Sequence, residues 1–412
     1  MTRSTALPFA RPDITDEEKE AVLRVLDSGW LTQGKETDLL EEEFARYTGA
    51  ANAVAVNSAT AALHLGLVGM GLKGGEAVLV PALTFTATAE VVHRCGALPL
   101  LVDVDPQSYL ITVETIERFL DAECHRDERG LVHTASGARI RGIICMHYGG
   151  RSCDLEALQE LCRREGWFLG EDAAHAFGTL YRGTPIGQHG DFCAFSFYAT
   201  KNMTTGEGGM LTTPHDTVAH RCRRLRLHGI ETPAHRRKNY YYDVVDEGFK
   251  YNLSDISAAI GRVQMRRHDS MMMRRRRIHE TYSAHFAGLE GVRPCPDSSG
   301  SSHHLYTIEI DPALSGRDDF SAAIESHNVR TGLHFIPLYR MSHYRIRYGR
   351  EEAGLEEDSW KKRYPGSERI FERILSLPIY SSMSDDDIQD VVKAVKAAHA
   401  TMQDELRQKN PG

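Results

Sequence analysis

Between residues 53 and 210, short apolar runs alternate with helical patterns, and this alternation limits the possible folds more than any other feature of the chain. "AVAV" leads into "ATAALHLGLVGMGL", "AVLVPA" into "TFTATAEVVHRCG", "LPLLVDVD" into "TVETIERFLDA", and "GIICMHY" into "DLEALQELCRREG"; "WFLGED" and "DFCAFSFY" follow. Strands joined through helices need crossover connections, which make them parallel, and a parallel sheet is covered by helices on both faces. The pattern predicts an α/β protein whose large domain carries a mostly parallel sheet. In such sheets ligands gather at the carboxyl ends of the strands, so residues at those ends are the ones to inspect for chemistry.

A chain of 412 residues is long enough for two domains. Beyond Asn252, "LSDISAAIGRVQMRRHDSMMMRRRRIHETYSAHF" has the length and periodicity of one long helix linking them. From "HHLYTIEI" onward strands and helices alternate again, so the expected division is 1–265 for an N-terminal arm and large domain, and 266–412 for a smaller C-terminal α/β domain. Residues 122–141 are polar, break the rhythm of the large domain, and read as a surface insertion of mobile-hairpin type. The run Arg274–Arg277 reads as a solvated helix face, and Met271–Met273 as packing residues.

Charge and cysteine usage narrow the function. With 57 acidic against 49 basic residues, a net charge of -8 disfavours nucleic acid as a partner. The start, "MTRSTALPFARPDITDEE", has no apolar leader, and no run is long enough to span a membrane. Eight cysteines without a CxxC pair suit a reducing, cytoplasmic setting. Cys145, His147 and Cys153 cluster in "CMHYGGRSCD", but no second ligand pair has zinc-like spacing; the cluster reads as a strand end and loop, with no metal expected.

Three features fall on the predicted rim. "NSATAALHL" is a strand-to-helix turn of small residues, a phosphate site by its backbone N–H groups, although Ser and Thr cap many helices. "EDAAHAFGT" sets Asp172 at a strand end with His175 just behind it; a carboxylate there holds a protonated ring nitrogen or merely caps the next helix. "FSFYATKNMTTGEGGM" places Lys201 between a strand and a turn with Gly206, Gly208 and Gly209, which allow tight turns and close backbone approach. An isolated lysine there would be a solvated turn residue. Together, phosphate cradle, carboxylate and amine match the three handles of pyridoxal 5'-phosphate (PLP): its phosphate, pyridine nitrogen and aldehyde.

Over nearly its whole length the chain resembles the DegT/StrS family of PLP-dependent sugar aminotransferases. The resemblance rests on "LPFARPDI", "SGWLTQG", "NSATAALHL", "TFTATA", "EDAAHAFGT", "FSFYATKNMTTGEGGM", "HGI", "GFKYNLSDISAAIG" and "RTGLHF", in that order. Among members it is most similar to those that aminate C4 of a nucleotide-linked keto-sugar, the UDP-4-amino-4-deoxy-L-arabinose aminotransferases included. The resemblance implies an aspartate-aminotransferase-like fold (PLP fold type I) and a homodimer with shared active sites. It also implies roles. Lys201 is the lysine that bonds the cofactor, Asp172 the partner of the pyridine nitrogen, and His175 the neighbour of the phenolic oxygen. Ala59, Thr60 and Ser196 hold the phosphate, Phe85 stacks on the ring, and Asn252 reaches the phosphate of the neighbouring subunit. Trp30, Lys250, His334 and Tyr339 line the substrate side, Trp30 over an apolar sugar face and Lys250 toward a diphosphate.

The implied reaction is ping-pong: glutamate donates its amino group and leaves as 2-oxoglutarate, and a keto-sugar accepts it. After "TGLHF" this chain continues as "IPLYRMSHYRIRYG", with Tyr339 where many members have histidine, so an aminotransferase acting on a cyclitol or another non-nucleotide ketone stays open. A dehydratase of the same family carries histidine in place of the lysine, so Lys201 argues against it. A non-catalytic PLP-binding regulator would not need Asp172, His175 and Lys201 together.

Overall fold

The computed structural model describes residues 3–128, 130–296, 298–349 and 357–409. Two helices open the chain, α1 (Asp16–Ser28) and α2 (Lys35–Thr48). The sheet strands follow: β1 (Asn52–Val56), β2 (Glu76–Pro81), β3 (Leu98–Val102), β4 (Cys124–Asp127), β5 (Gly130–His133), β6 (Arg139–Met146) and β7 (Phe168–Asp172). After a short ribbon, β8 (Leu180–Tyr181) and β9 (Thr184–Pro185), come β10 (Phe192–Ser196) and β11 (Gly209–Thr213). Between them run α3 (Ala59–Gly69), α4 (Ala87–Arg94), α5 (Val113–Glu123) and α6 (Leu155–Glu165), with α7 (Asp216–Leu225) after β11.

The large sheet runs in the order β1-β11-β10-β7-β6-β2-β3. From β10 to β3 every pairing is parallel, whereas β11 is antiparallel to both of its neighbours. Its central strands are apolar on both faces, as a doubly covered sheet requires. One core packs Leu79, Ile143, Leu169 and Phe195 with Phe44 of α2, Ile116 of α5 and Leu158 of α6. The opposite core packs Val78, Val80 and Ile144 with Leu63 of α3, Val91 of α4 and Cys222 of α7.

The expected insertion supplies a hairpin, β4 with β5, yet it is not an appendage to the fold. β4 pairs with β5, and β5 joins the edge of β6, extending the large sheet to nine strands. The C-terminal unit has a three-stranded sheet of β12 (Val292–Pro294), β13 (Tyr306–Ile310) and β14 (Ile374–Leu377), flanked by α9 (Arg317–Glu325) and the helix Asp385–Lys409.

One helix joins the two units: α8 (Asp255–Phe286), 32 residues and so about 48 Å long. Its N-terminal Ala258 lies in the core of the large sheet and its C-terminal Ile278, Tyr282 and Phe286 in that of the small one. Met271 is buried and Met273 is 67% exposed. The cores are not contiguous in sequence: Leu7 packs in the small unit, while Leu338, Tyr339, Trp360 and Tyr364 pack beneath the large sheet.

Candidate active site

Sheet register explains why distant residues meet. Val56 and Ser196 both pair with Gly209, so the ends of β1 and β10 and the start of β11 share one edge. Asp172 ends β7, next to β10 in parallel. Beyond that edge lies a cavity of about 430 Å³.

Eight of the residues named from the sequence line this cavity: Ala59, Thr60, Phe85, Asp172, His175, Ser196, Lys201 and His334. Ser58 caps α3 by accepting a hydrogen bond from Ala61 N–H (3.1 Å), which leaves the N–H groups of Ala59 and Thr60 at the open helix end. Gly209 is required there by space: a Cβ on it would lie 2.5 Å from the carbonyl carbon of Ser58 and 2.7 Å from Ala59 N. Ser196 and Ser58 add hydroxyls on the same side.

Asp172 is 3% exposed, and its carboxylate accepts hydrogen bonds from Thr88 Oγ1 (2.8 Å) and Ala174 N–H (3.1 Å). Burial pushes its pKa up, opposed by those two donors and by the positive fields of Lys201 and His147. Burial lowers the Lys201 pKa to about 8, the Asp172 charge opposing it. His175 is held well below the ordinary histidine range by burial, then by Lys201 and His334; His334 falls to about 4 for the same reason of burial. Phe85 is 57% exposed at the lip, with Phe335 facing it at 6.2 Å.

Four residues named from the sequence do not line the cavity. Tyr339, expected to face the substrate, is fully buried: its hydroxyl donates to Glu368 (2.7 Å), and its ring stacks on Tyr364 (4.4 Å) and Trp360 (5.1 Å). Apolar packing beneath the sheet together with an anionic acceptor outweighs solvent exposure at the site, and it corrects that reading. Trp30 lines a separate cavity of about 630 Å³ alongside Arg24, Lys35 and Arg262, and its Nε1 donates to Gln33 O (3.0 Å). Lys250 Nζ donates to Asn252 Oδ1 (2.6 Å), and both lie on the segment laid against Asn57, beside the α3 turn. Cys145, His147 and Cys153 converge more than their spacing suggested. Their ligand atoms lie within 4.8 Å, all buried, with His147 Nε2 on Glu171 (2.9 Å) and Nδ1 accepting Cys153 N–H (3.2 Å).

Sequence reasoning missed several lining residues, among them Phe9, Tyr198, Glu207, His304 and Phe335. His334, named in "RTGLHF", pointed to its neighbour Phe335; nothing in "SSHHLYTIEI" marks His304 apart from the doubled histidine.

The residues present suit PLP. Two free helix N–H groups with serine and threonine hydroxyls match a phosphate dianion. A buried carboxylate matches a protonated ring nitrogen, and a buried amine of lowered pKa matches an aldehyde. Fold and cavity together define a class, the PLP-dependent aminotransferases. Residues 12–396 match the DegT/DnrJ/EryC1/StrS aminotransferase family, and the chain belongs to it. It is 38% identical over 403 residues to the spore coat polysaccharide biosynthesis protein SpsC of Bacillus subtilis, covering 96% of this chain and 97% of that protein. Among solved structures, the aminotransferase TlmJ of Streptoalloteichus hindustanus is 30% identical, with a TM-score of 0.83 over 96% of this chain and 100% of that one. Spr1654 of Streptococcus pneumoniae in its PLP form is 28% identical, with a TM-score of 0.83 over 96% of this chain and 99% of that one. No described helix is long and apolar enough to cross a membrane.

Proposed function

We propose that the protein transfers an amino group from glutamate to the keto carbon, C4, of a nucleotide-linked keto-sugar, in ping-pong fashion and as a homodimer. The observation that carries the reading is Lys201, an amine of pKa about 8 in a cavity that also holds the Asp172 carboxylate and the open end of α3. The sugar class is supported by the 38% identity to SpsC, a polysaccharide biosynthesis protein.

When bound, PLP supplies an electron sink conjugated to the carbon that carries the amino group. The chain's own residues do the rest. The N–H groups of Ala59 and Thr60 and the Ser196 hydroxyl hold the phosphate. Asp172 keeps a proton on the pyridine nitrogen, and its two hydrogen bonds, from Thr88 and Ala174, keep it aimed there. Lys201, neutral in part at physiological pH, would hold the cofactor through its aldehyde carbon with loss of water, and as a free amine it would carry a proton to and from the substrate carbon. Phe85 covers one face of the ring and His334 meets the substrate. Asn252 and Lys250 serve the neighbouring subunit.

One observation favours a second reading. Among the described lining residues Lys201 is the sole lysine, no arginine appears, and the substrate side is aromatic: Phe9, Phe85, Tyr198 and Phe335. A diphosphate would therefore take its cations from the partner, or the acceptor is a ketone without one, such as a cyclitol. Incubating the loaded enzyme with glutamate and a panel of UDP-, dTDP- and GDP-linked 4-keto-sugars beside keto-cyclitols, with mass-spectrometric detection of amine product, separates the two. Amination of a nucleotide-linked sugar is expected. Amination of cyclitols alone would overturn the first reading, and no amine from any ketone would overturn both.

A further inference from the structure

Two imidazoles in the cavity are set in opposite tautomers by groups whose direction of donation is unambiguous. His175 Nδ1 receives the backbone N–H of Gly149 at 3.2 Å. A backbone N–H only donates, so Nδ1 carries the lone pair and, in the neutral ring, Nε2 carries the hydrogen. His304 Nδ1 lies 2.9 Å from Asn202 Oδ1. The Asn202 amide has one orientation: its Nδ2 faces Ser302 O at 2.9 Å and Phe177 O at 3.5 Å, and a flip would set its oxygen against both carbonyls. Oδ1 therefore accepts, His304 Nδ1 carries the hydrogen, and Nε2 is a bare lone pair.

The rings lie 4.3 Å apart between centroids, inclined at 37°, and both line the cavity. Neither Nε2 has a hydrogen-bond partner among the described residues. Burial holds both rings well below the ordinary histidine range. His304 is held well below the ordinary range by burial first, and then by His175 after β7, Lys201 after β10, Arg275 of α8 and His334. All four are cationic when protonated, so each opposes a second proton.

We propose that His304, fixed by Asn202, uses Nε2 to accept a hydrogen bond from a hydroxyl or amino group of the substrate. Asn202 is then a positioning residue, acting through His304. A hydroxyl or amino hydrogen satisfies the His304 lone pair, while the His175 donor remains for the cofactor's phenolic oxygen. A bare carbonyl or carboxylate leaves that buried lone pair without a donor, which costs affinity. His304 therefore selects ligands that carry a hydroxyl or amino group beside it. This assignment rests on the aminotransferase reading only for the identity of the ligand; the tautomers do not depend on it.

The test begins with long-range ¹H–¹⁵N spectra of ¹⁵N-histidine protein at pH 7, without substrate, with the two rings assigned by their loss in His304→Gln and His175→Gln. His304 is expected to show a protonated Nδ1 and an unprotonated Nε2, and His175 the reverse. A proton on His304 Nε2 would overturn the inference. Asn202→Asp keeps an acceptor on His304 Nδ1 and adds a negative charge, at the loss of the Nδ2 bonds to Ser302 O and Phe177 O, so in the folded variant the second proton of His304 should bind at a higher pH. The acid limb of kcat/KM for the amino acceptor should move up with it, because the occupied Nε2 no longer accepts. A limb that stays in place while the ring titration moves would reject the substrate contact, and a uniform loss at every pH would mark Asn202 as merely structural. Should Asn202→Asp fail to fold, the wild-type enzyme carries the test: adding the keto-sugar should move the His304 Nε2 resonance upfield as it accepts a hydrogen bond, and an unmoved resonance would reject the contact. If no ketone is aminated, the aminotransferase reading fails while the spectra stand.

Discussion

At the scale of the residue, the chemistry rests on how burial treats two opposite charges. Lys201 and Asp172 are both shifted toward their neutral forms by loss of water, and each resists the shift in the other. With its pKa at about 8, Lys201 is neutral in about one molecule in ten at pH 7, against about one in a few thousand for an ordinary lysine. Only the neutral amine attacks carbonyl carbon. In the cofactor-free protein, competitive acylation followed by peptide mapping should therefore show Lys201 labelling rise with pH through a midpoint near 8, while surface lysines follow one above 10. A Lys201 midpoint matching the surface lysines would refute this electrostatic assignment.

At the scale of the element, position is enforced by close contact rather than by charge. β11 begins with Gly209 lying directly on the turn into α3, where a Cβ would press on Ser58 and Ala59 backbone. Overpacking against backbone costs about 1–3 kcal/mol. Gly209→Ala should keep the fold but displace the two N–H groups, lowering PLP affinity about tenfold or more in an absorbance titration. Unchanged affinity would show that the turn is not the phosphate cradle. On the other side, Arg275 of α8 is buried and donates to the carbonyls of His303 (3.5 Å), His304 (3.4 Å) and Ile379 (3.0 Å). Burial lowers its pKa to about 10. The helix that joins the two units thus ties strands of the small unit to the wall of the cavity.

At the scale of the whole molecule, the surface points beyond one chain. Tyr240, Tyr241 and Tyr242 are 80%, 73% and 60% exposed, on a segment that leads back to Lys250 and Asn252. In the dimer we propose, that segment serves the partner's cavity. Mixing inactive Lys201→Ala with weakened Asn252→Ala subunits should then restore activity, because each heterodimer holds one site with neither defect. Random exchange sets the ceiling at about a quarter of wild type. Activity that stays at the average of the two parents after exchange would show that one subunit supplies both residues to its own site and reject the crossing.

The α/β class, the parallel order of the central strands, the α3 turn, Asp172 and Lys201 were legible in local pattern: strand-helix alternation, a capped turn, a residue at a strand end; Phe85, Ser196 and His334 entered only through the family resemblance. β11 was harder to read, since its antiparallel pairing depends on which neighbours it finds rather than on its own apolar run. The 122–141 segment is polar, and only the start of β6, at Arg139 ahead of its pairing with β7, decided that it would join the sheet. Tyr339 has a side chain suited equally to a sugar and to a core; Trp360, Tyr364 and Glu368, which claim it, lie more than twenty residues further along the chain. His304 carries no local mark at all. Its meaning comes from Asn202, about a hundred residues away, and the hydrogen between them is assigned by two carbonyls that only the folded chain brings to the amide. Pattern along the chain determines which elements form and what each rim offers; which polar atoms face one another, and so which way each proton points, is decided by packing between segments remote in sequence.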